Sequence, residues 1–318
     1  MYIISAWRKS PVLPYINFKM NRIAIIGTNG FLSTAIAKGF LKENWVVDMF
    51  GLESPSQHKC HAFYRVNLVS EELDYKKLLD YDIIVYAAGA GIQSNLRESS
   101  ELIYGLNVTS PIAICNGLKV VDYKGVFITF GSVFEMGETS EQRYFNEIDI
   151  VTSRCTAPNE YTVSKRVLTR FVDSYSHQFV HWHFIIPTIY GPGENPQRLI
   201  PYTIASLLKG EELHFTSGEQ TRQYIYVGEI PSILLLGYQT QLCSGIYNLE
   251  GKDTLKVKEL VHLISQNLGK KVQDHWFGST QRYDVGMKYL ALDGSKLYNA
   301  CGFKAKVSVE NVMPLYIP

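Results

Sequence analysis

The sequence predicts an α/β fold, a doubly wound parallel sheet with a smaller mixed α/β domain attached. Three observations carry this prediction. Short apolar runs alternate with longer segments of helical period through the first 187 residues. A glycine-rich turn lies directly between the first such run and the first helical segment. From Pro187 onward the rhythm changes to turn-rich chain with shorter mixed pieces.

Each element has its own signal. Residues 1–20 are read as a leader or surface arm: the apolar stretch YIISAW is too short for a signal h-region, and no small-residue cleavage site follows. Residues 22–26 (RIAII) read as a buried parallel strand, running into GTNGFLS and then the helical segment TAIAKGFLKEN. Further strands are expected at 45–50, 63–66, 81–89, 125–130 and 182–186, with helices at 102–119 and from Tyr161. Residues 21–187 thus form the main domain. Residues 188–318 form mainly a second one, with segments near 222–250 returning to the main sheet. Ligands of such sheets sit beyond the carboxyl ends of the strands. The Gly27 turn, Ala87-Ala88-Gly89 and the stretch from Thr129 to Ser132 all fall at such ends, which predicts one cleft.

Composition narrows the function. The 318 residues are 46% hydrophobic and 19% charged, as in globular proteins. A net charge of +1 gives no electrostatic footprint for nucleic acid or an acidic membrane. No apolar run is long enough to span a bilayer. Five scattered cysteines without a C-x-x-C pair suit free thiols in a reducing cytoplasm.

Two motifs carry chemistry. Strand, glycine turn and helix together make a phosphate site: Gly27 provides the tight turn, and Gly30 lets the backbone approach a pyrophosphate at the helix N-terminus. The third glycine of the usual fingerprint is Ser33 here. Downstream, Tyr161-Thr-Val-Ser-Lys165 puts a phenol and an ammonium on one helix face. A neighbouring ammonium favours phenolate, so Lys165 is expected to lower the Tyr161 pKa toward working pH. Such a pair can give a proton to a carbonyl oxygen and take it back.

In order along the chain stand GTNGFLS, Asn67-Leu68, AAGAG, Asn107-Val108, Tyr161-x-x-x-Lys165, PTIYGPG from Pro187, RQYIYV from Arg222, Tyr247-Asn248, Arg282-Tyr-Asp284 and Asp293-x-Ser-Lys296. With these the chain from Met20 resembles the extended short-chain dehydrogenase/reductases, the NAD-dependent epimerase/dehydratase family that acts on nucleotide-diphosphate sugars. The stretches GPGENPQRLIPYTI and TSGEQTRQYIYV look most like 4-ketoreductases of the CDP-abequose synthase type. The resemblance implies a Rossmann-type sheet and assigns roles. Tyr161 would donate the proton, with Lys165 beside it, also holding the nicotinamide ribose. Gly27, Asn29, Gly30, Phe31 and Leu32 would bind the pyrophosphate. Asn67 and Leu68 would lie against adenine, Ala87, Ala88 and Gly89 would line the cofactor, and Asn107 would support the active-site helix. Pro187 and Tyr190 belong to the loop reaching the nicotinamide. Arg222, Arg282 and Arg198 are the substrate-binding candidates, since a forked guanidinium suits a diphosphate. A homodimer is implied because the family commonly pairs through two helices per subunit.

Two departures matter. The family carries S-[ST]-x-x-V-Y-G after the fifth strand. Aligning Val133-Phe134 with V-Y puts Phe130 where the catalytic hydroxyl belongs, flanked by Thr129 and Ser132. Either of these aligns the carbonyl, or the hydroxyl is absent. Second, NAD-specific members carry an acid at the end of the second strand. Here that end reads Phe50-Gly51, with Asp48 inside the strand and Glu53 beyond it, so the cofactor is NADPH or NADH with a lean toward NADP.

The expected activity is NAD(P)H-dependent reduction of a nucleotide-diphosphate 4-keto-deoxysugar in deoxysugar biosynthesis. The rival enzyme is a nucleotide-sugar 4-epimerase with tightly bound NAD, and the rival from another class is a non-catalytic dinucleotide sensor or scaffold. His177, His181 and His183 cluster, but no Cys or carboxylate joins them in a metal pattern, so no metal is expected. Arg97 is read as a solvated loop residue.

Overall fold

The structure is a computed structural model that describes residues 20–92, 97–175, 178–280 and 286–317. The leader 1–19 lies outside the described residues. In chain order the strands are β1 Arg22–Ile26, β2 Val46–Gly51, β3 Ala62–Arg65, β4 Ile83–Tyr86, β5 Val126–Ser132, β6 Val180–Ile186, β7 Thr188–Tyr190, β8 Thr221–Tyr226, β9 Gly245–Asn248, β10 Asp253–Lys256 and β11 Tyr289–Leu290. Seven of them make one parallel sheet in the order β3-β2-β1-β4-β5-β6-β9. The chain winds outward from β1 to β3, crosses back, and winds the other way from β4. The order therefore reverses between β1 and β4, and the ligand crevice opens there.

The continuous apolar run RIAII follows from burial on both faces. Ile23 and Ile25 pack with Phe40, Ile128, Phe184 and Ile233, under the helices Phe31–Lys42 and Ile230–Gln239. Ala24 and Ile26 pack with Ile84, Ile114, Leu118 and Phe127, under the helix Ser110–Val120. The predicted 102–119 helix proves to be three pieces, Ser100–Tyr104, a π turn Gly105–Thr109, and Ser110–Val120. The widened turn carries Asn107, and such insertions concentrate at functional sites.

The second sheet is small and mixed. β8 pairs antiparallel with β10 and parallel with β7 and β11. Of the stretch near 222–250, β9 joins the large sheet, whereas β8 builds the small one. No helix among the described residues is long and apolar enough to cross a membrane.

Asp48 settles a question left by the sequence. It does not reach the crevice but is fully buried within β2. It accepts hydrogen bonds from Arg22 Nη2 at 2.8 Å, Tyr81 Oη at 2.7 Å and His61 Nδ1 at 2.8 Å. Burial works to raise its pKa, but the three donors outweigh it and hold the carboxyl below the ordinary range. A depressed carboxylate stabilises the fold above its unfolded pKa, and that contribution disappears as pH falls through the folded value. Asp48→Asn should therefore cost about 2–4 kcal/mol at pH 7, as measured by urea unfolding. The deficit should shrink as the pH is lowered below about 4.

Candidate active site

The glycine turn joins β1 to the helix Phe31–Lys42 at the reversal point. Gly27 adopts φ +103°, and a Cβ there would lie 2.7 Å from the Ala88 nitrogen, so only glycine fits. Its N–H donates to the Phe50 carbonyl at 2.8 Å. Gly30 is the N-cap and supplies no side-chain cap, so the first-turn N–H groups, including those of Phe31 and Leu32, remain for an anion. Ser33 is fully buried, with its hydroxyl turned back on the Thr28 and Gly30 carbonyls at 3.2 and 3.0 Å. It thus fills the third glycine's position without opening the turn. Asn29 ties this turn to the loop after β2, donating to the Ser54 carbonyl at 3.1 Å and accepting from the Ser56 N–H at 3.0 Å. That bridge was not visible in the sequence.

The loop after β4 forms the opposite wall. Ala87 and Ala88 are half-buried and Gly89 is exposed. Asn107 clamps this loop to the catalytic helix. Its Oδ1 accepts from the Ala90 N–H at 3.1 Å, and its Nδ2 donates to the Ala90 carbonyl at 2.8 Å and to Ser164 Oγ at 3.0 Å. The Asn67 side chain accepts from the Val69 N–H at 3.2 Å, and the Leu68 carbonyl accepts from Ser110 Oγ at 2.7 Å. These bonds hold the turn after β3. Together the residues make a cradle that fits a dinucleotide: backbone that glycine alone permits, uncapped helix N–H groups, and two short-side-chain walls.

Tyr161 and Lys165 sit on the helix Glu160–Ser174, which begins where Asn159 caps it by accepting from the Thr162 N–H at 2.9 Å. The Lys165 ammonium lies 5.9 Å from the centre of the Tyr161 ring and donates to the Phe130 carbonyl at 3.1 Å. The two side chains therefore share a face, but the expected pKa effect does not follow. Burial pushes the Tyr161 phenol up to about 12. A hydrogen bond with Ser132 pulls it down, the Glu135 carboxylate pushes it up, and the Arg198 charge pulls it down. Lys165 is itself lowered by burial, with Glu135 working the other way. Desolvation outweighs the pairwise charge effect that the spacing suggested.

The two hydroxyl candidates separate. Ser132 ends β5, lies close enough to the phenol to lower its pKa, and accepts from the Phe134 N–H at 3.3 Å. Thr129 lies inside the sheet, fully buried, with Oγ1 at 2.9 Å from His181 Nε2 and 2.8 Å from His183 Nδ1. Thr129 is therefore not at the crevice. Strand alternation turns it toward the His181 and His183 side chains of β6, three residues before Ser132. Phe130 packs into the core near Phe184.

Tyr190 also needs correction. Its ring is fully buried between Tyr224 and Tyr226, and Oη donates to the Val307 carbonyl at 3.2 Å. Pairing of β7 with β8 draws it into the core of the smaller domain, away from the crevice. Pro187, also buried, stays on the link between β6 and β7.

Arg198 caps the helix Leu199–Lys209, with its Nε 3.3 Å from Glu194 Oε2. Arg222 on β8 is buried, with Nη1 donating to the Met287 carbonyl at 2.7 Å and the guanidinium 5.9 Å from the Phe134 ring centre. Arg282 and His177 lie outside the described residues. Arg97 is exposed. Among the described residues no three His, Cys, Asp or Glu side chains converge as a metal site.

Sequence reasoning missed Glu135 and Glu194, both buried. The signal for the first was present: Ser132-Val-Phe-Glu135 is the S-x-x-E pattern of a capping box, which the structure forms. The second stands four residues before Arg198, at ion-pair spacing. A cavity of about 600 Å³ lined by Trp45, Trp182 and Tyr238 lies against the start of β5 and β6, the wrong end of the sheet for this chemistry.

Comparison with known proteins agrees with this geometry. The profile of the NAD dependent epimerase/dehydratase family matches residues 23–249. The chain is 25% identical to a putative UDP-glucose 4-epimerase of Methanocaldococcus jannaschii over 264 residues, 78% of this chain and 82% of that one. It is 24% identical to CDP-abequose synthase of Salmonella muenchen over 156 residues, 47% of this chain and 52% of that one. The Bordetella bronchiseptica enzyme WbmG, solved in complex with NAD and UDP, superposes with a TM-score of 0.76 over 93% of both chains at 16% identity.

Gly27→Ala should weaken dinucleotide binding at least about tenfold, because the added methyl meets the Ala88 backbone and φ is positive. Calorimetric titration with the dinucleotide checks this; unchanged affinity would show that the cradle lies elsewhere.

Proposed function

The chain belongs to the NAD dependent epimerase/dehydratase family, and from that premise we propose that it is an NAD(P)H-dependent reductase of a nucleotide-diphosphate 4-keto-deoxysugar. The observation that carries the reading is the state of Tyr161. Its phenol is buried beside Ser132 and on the same helix face as Lys165, and burial raises its pKa, which favours the protonated form in the ligand-free protein. A group that rests as an acid is suited to protonating a nascent alkoxide. An epimerase must begin with that group as a base.

When bound, the nicotinamide supplies the hydride. Tyr161 gives its phenolic proton to the 4-keto oxygen. Ser132 faces the same oxygen, and its main-chain anchoring within the turn keeps the hydroxyl in place. Lys165 stands between the Phe130 carbonyl and the Tyr161 ring, and would hold the cofactor ribose. Arg198 and Arg222 receive the substrate's diphosphate, and Arg282 is assigned the same task. A cavity of about 380 Å³ lined by Gln197, Tyr202, His214, Phe215 and Gln220 adjoins Arg198 and takes the nucleotide base, offering a ring to stack on and amides to hydrogen-bond.

With the domain boundary taken at 187/188, cofactor and substrate would lie on either side of this crevice. The end of β2 carries no acid, and Asp48 is committed to Arg22, Tyr81 and His61, which favours NADPH over NADH. Val163 and Val167 are exposed one turn apart on the helix Glu160–Ser174, and Val120 ends a neighbouring helix 84% exposed. These apolar positions support a homodimer formed through the two helices. The cytoplasm is the expected location of such an enzyme.

A second reading, a nucleotide-sugar 4-epimerase, is favoured by the similarity to the Methanocaldococcus relative over most of both chains. Cofactor-free turnover by protein that retains NAD through purification would select it.

Tyr161→Phe should keep dinucleotide affinity within about threefold and lose about 10²- to 10⁴-fold in kcat. Ser132→Ala should lose about 10²-fold. Thr129→Val, which strips a partner from two buried histidines, should lower Tm more than kcat. NADPH oxidation against a panel of 4-keto-sugar nucleotides measures kcat for all three, calorimetric titration the dinucleotide affinity, and thermal unfolding the Tm. Full turnover by the Tyr161 variant overturns the reading.

A further inference from the structure

The glycine turn and the end of β2 are matched to one another in a way that the proposed chemistry does not use. Gly51 closes β2 and is buried. Its φ lies outside the left-handed region, so its backbone does not require glycine. Space does. A Cβ at position 51 would lie 2.9 Å from Thr28 Cγ2 and 3.0 Å from Thr28 Oγ1. Both atoms belong to one buried, β-branched side chain, which is stiff about χ1. Thr28 therefore fills the room that any residue other than glycine would need.

Both backbones are pinned, so neither can yield. On the β2 side, the Phe50 carbonyl accepts from the Gly27 N–H at 2.8 Å, and the Gly51 carbonyl accepts from the Val66 N–H at 2.9 Å. The strand end is thus tied to the glycine turn and to the chain after β3. On the turn side, Gly27 lies close under the Ala88 backbone, and the Thr28 carbonyl accepts from Ser33 Oγ at 3.2 Å. Past Gly51, Asn29 holds the loop through the Ser54 carbonyl and the Ser56 N–H. What sets the fit is the Thr28 side chain beyond its Cβ. That Cβ itself would stand 3.5 Å from a Cβ at position 51, an ordinary contact.

The end of the second strand is where an acid selects NADH, because a carboxylate there accepts from the ribose hydroxyls and repels a 2′-phosphate. We propose that Thr28 is a specificity-determining residue for the cofactor: by filling the space beside Gly51 it bars a discriminating carboxylate from the end of β2 and leaves the adenosine 2′ position open to a phosphate. A hydroxyl and a methyl carry no charge, so this contact does not oppose a dianion. Glu53 stands two residues past the strand, exposed on the loop. The role of Thr28 rests on the reading of the glycine turn as a dinucleotide cradle and is independent of which sugar is reduced.

A mutant cycle on ligand-free protein tests the contact. Alanine is favoured over glycine within a strand, so a loss of stability in Gly51→Ala reports the clash. Gly51→Ala should lower Tm by at least about 3 °C, and adding Thr28→Ala should return it to the Tm of Thr28→Ala alone. Calorimetric titration with NADPH and NADH then reads specificity. The wild type should bind NADPH at least as tightly as NADH. Gly51→Asp combined with Thr28→Ala should move the affinity ratio at least about tenfold toward NADH, and Gly51→Asp with Thr28 in place should fall short of that. Should Gly51→Asp not fold with Thr28 in place, the alanine cycle and the double variant decide. An unchanged Tm in Gly51→Ala overturns the proposal. So does a full shift from Gly51→Asp alone, or a wild-type preference for NADH that Glu53→Gln abolishes. Binding of both dinucleotides in a ratio that the double variant leaves in place overturns the role of Thr28 and spares the cradle. Binding of neither by the wild type removes the cradle reading itself.

Discussion

Burying the ammonium of Lys165 is the constraint around which this site is arranged. A cation taken out of water needs acceptors and a counter-charge held in fixed geometry. The acceptor is the Phe130 carbonyl near the end of β5, past the last residue of the strand that pairs with β4. Placing the ammonium on that carbonyl sets the helix Glu160–Ser174 against the strand end. That in turn brings Tyr161 beside Ser132. Proton donor, hydroxyl and amine thus share one short stretch of backbone.

The cofactor side rests on a second constraint, close backbone approach. Gly27 fits under the Ala88 backbone because it has no Cβ, and the helix that follows begins without a side-chain cap. The same β4 loop is held from below by Asn107, which also bonds Ser164 on the catalytic helix. One asparagine in a π turn therefore links the cradle wall to the proton donor's helix. A displacement of either is felt by both, which is how a rigid scaffold keeps reacting groups in register.

Much of the fold was legible in the sequence. The runs RIAII, YDIIVY and GVFITF are apolar on both faces, and strands of that kind occur in parallel sheets covered by helices. The turn GTNGFLS and the spacing of Tyr161 and Lys165 also held their places, since neighbours along the chain fix them. The expected low phenol pKa did not survive, because spacing reports which groups are near but not how dry their surroundings are. Thr129 and Tyr190 read as site residues by position, yet both turn into cores. A one-residue change of strand phase decides which face a side chain occupies. The smaller sheet was the least legible part, since its strands pair across long separations with no local signal.

By itself the sequence determined which local elements form, where the glycine turn falls, and that a phenol and an amine share a helix face. These depend on residues close together along the chain. Tertiary structure alone decided that Ser132 rather than Thr129 lies beside the phenol, that Asp48 serves the core, and that Glu135 is buried against the Ser132 turn. Each of those depends on desolvation and on strand phase, which exist only once distant segments have packed.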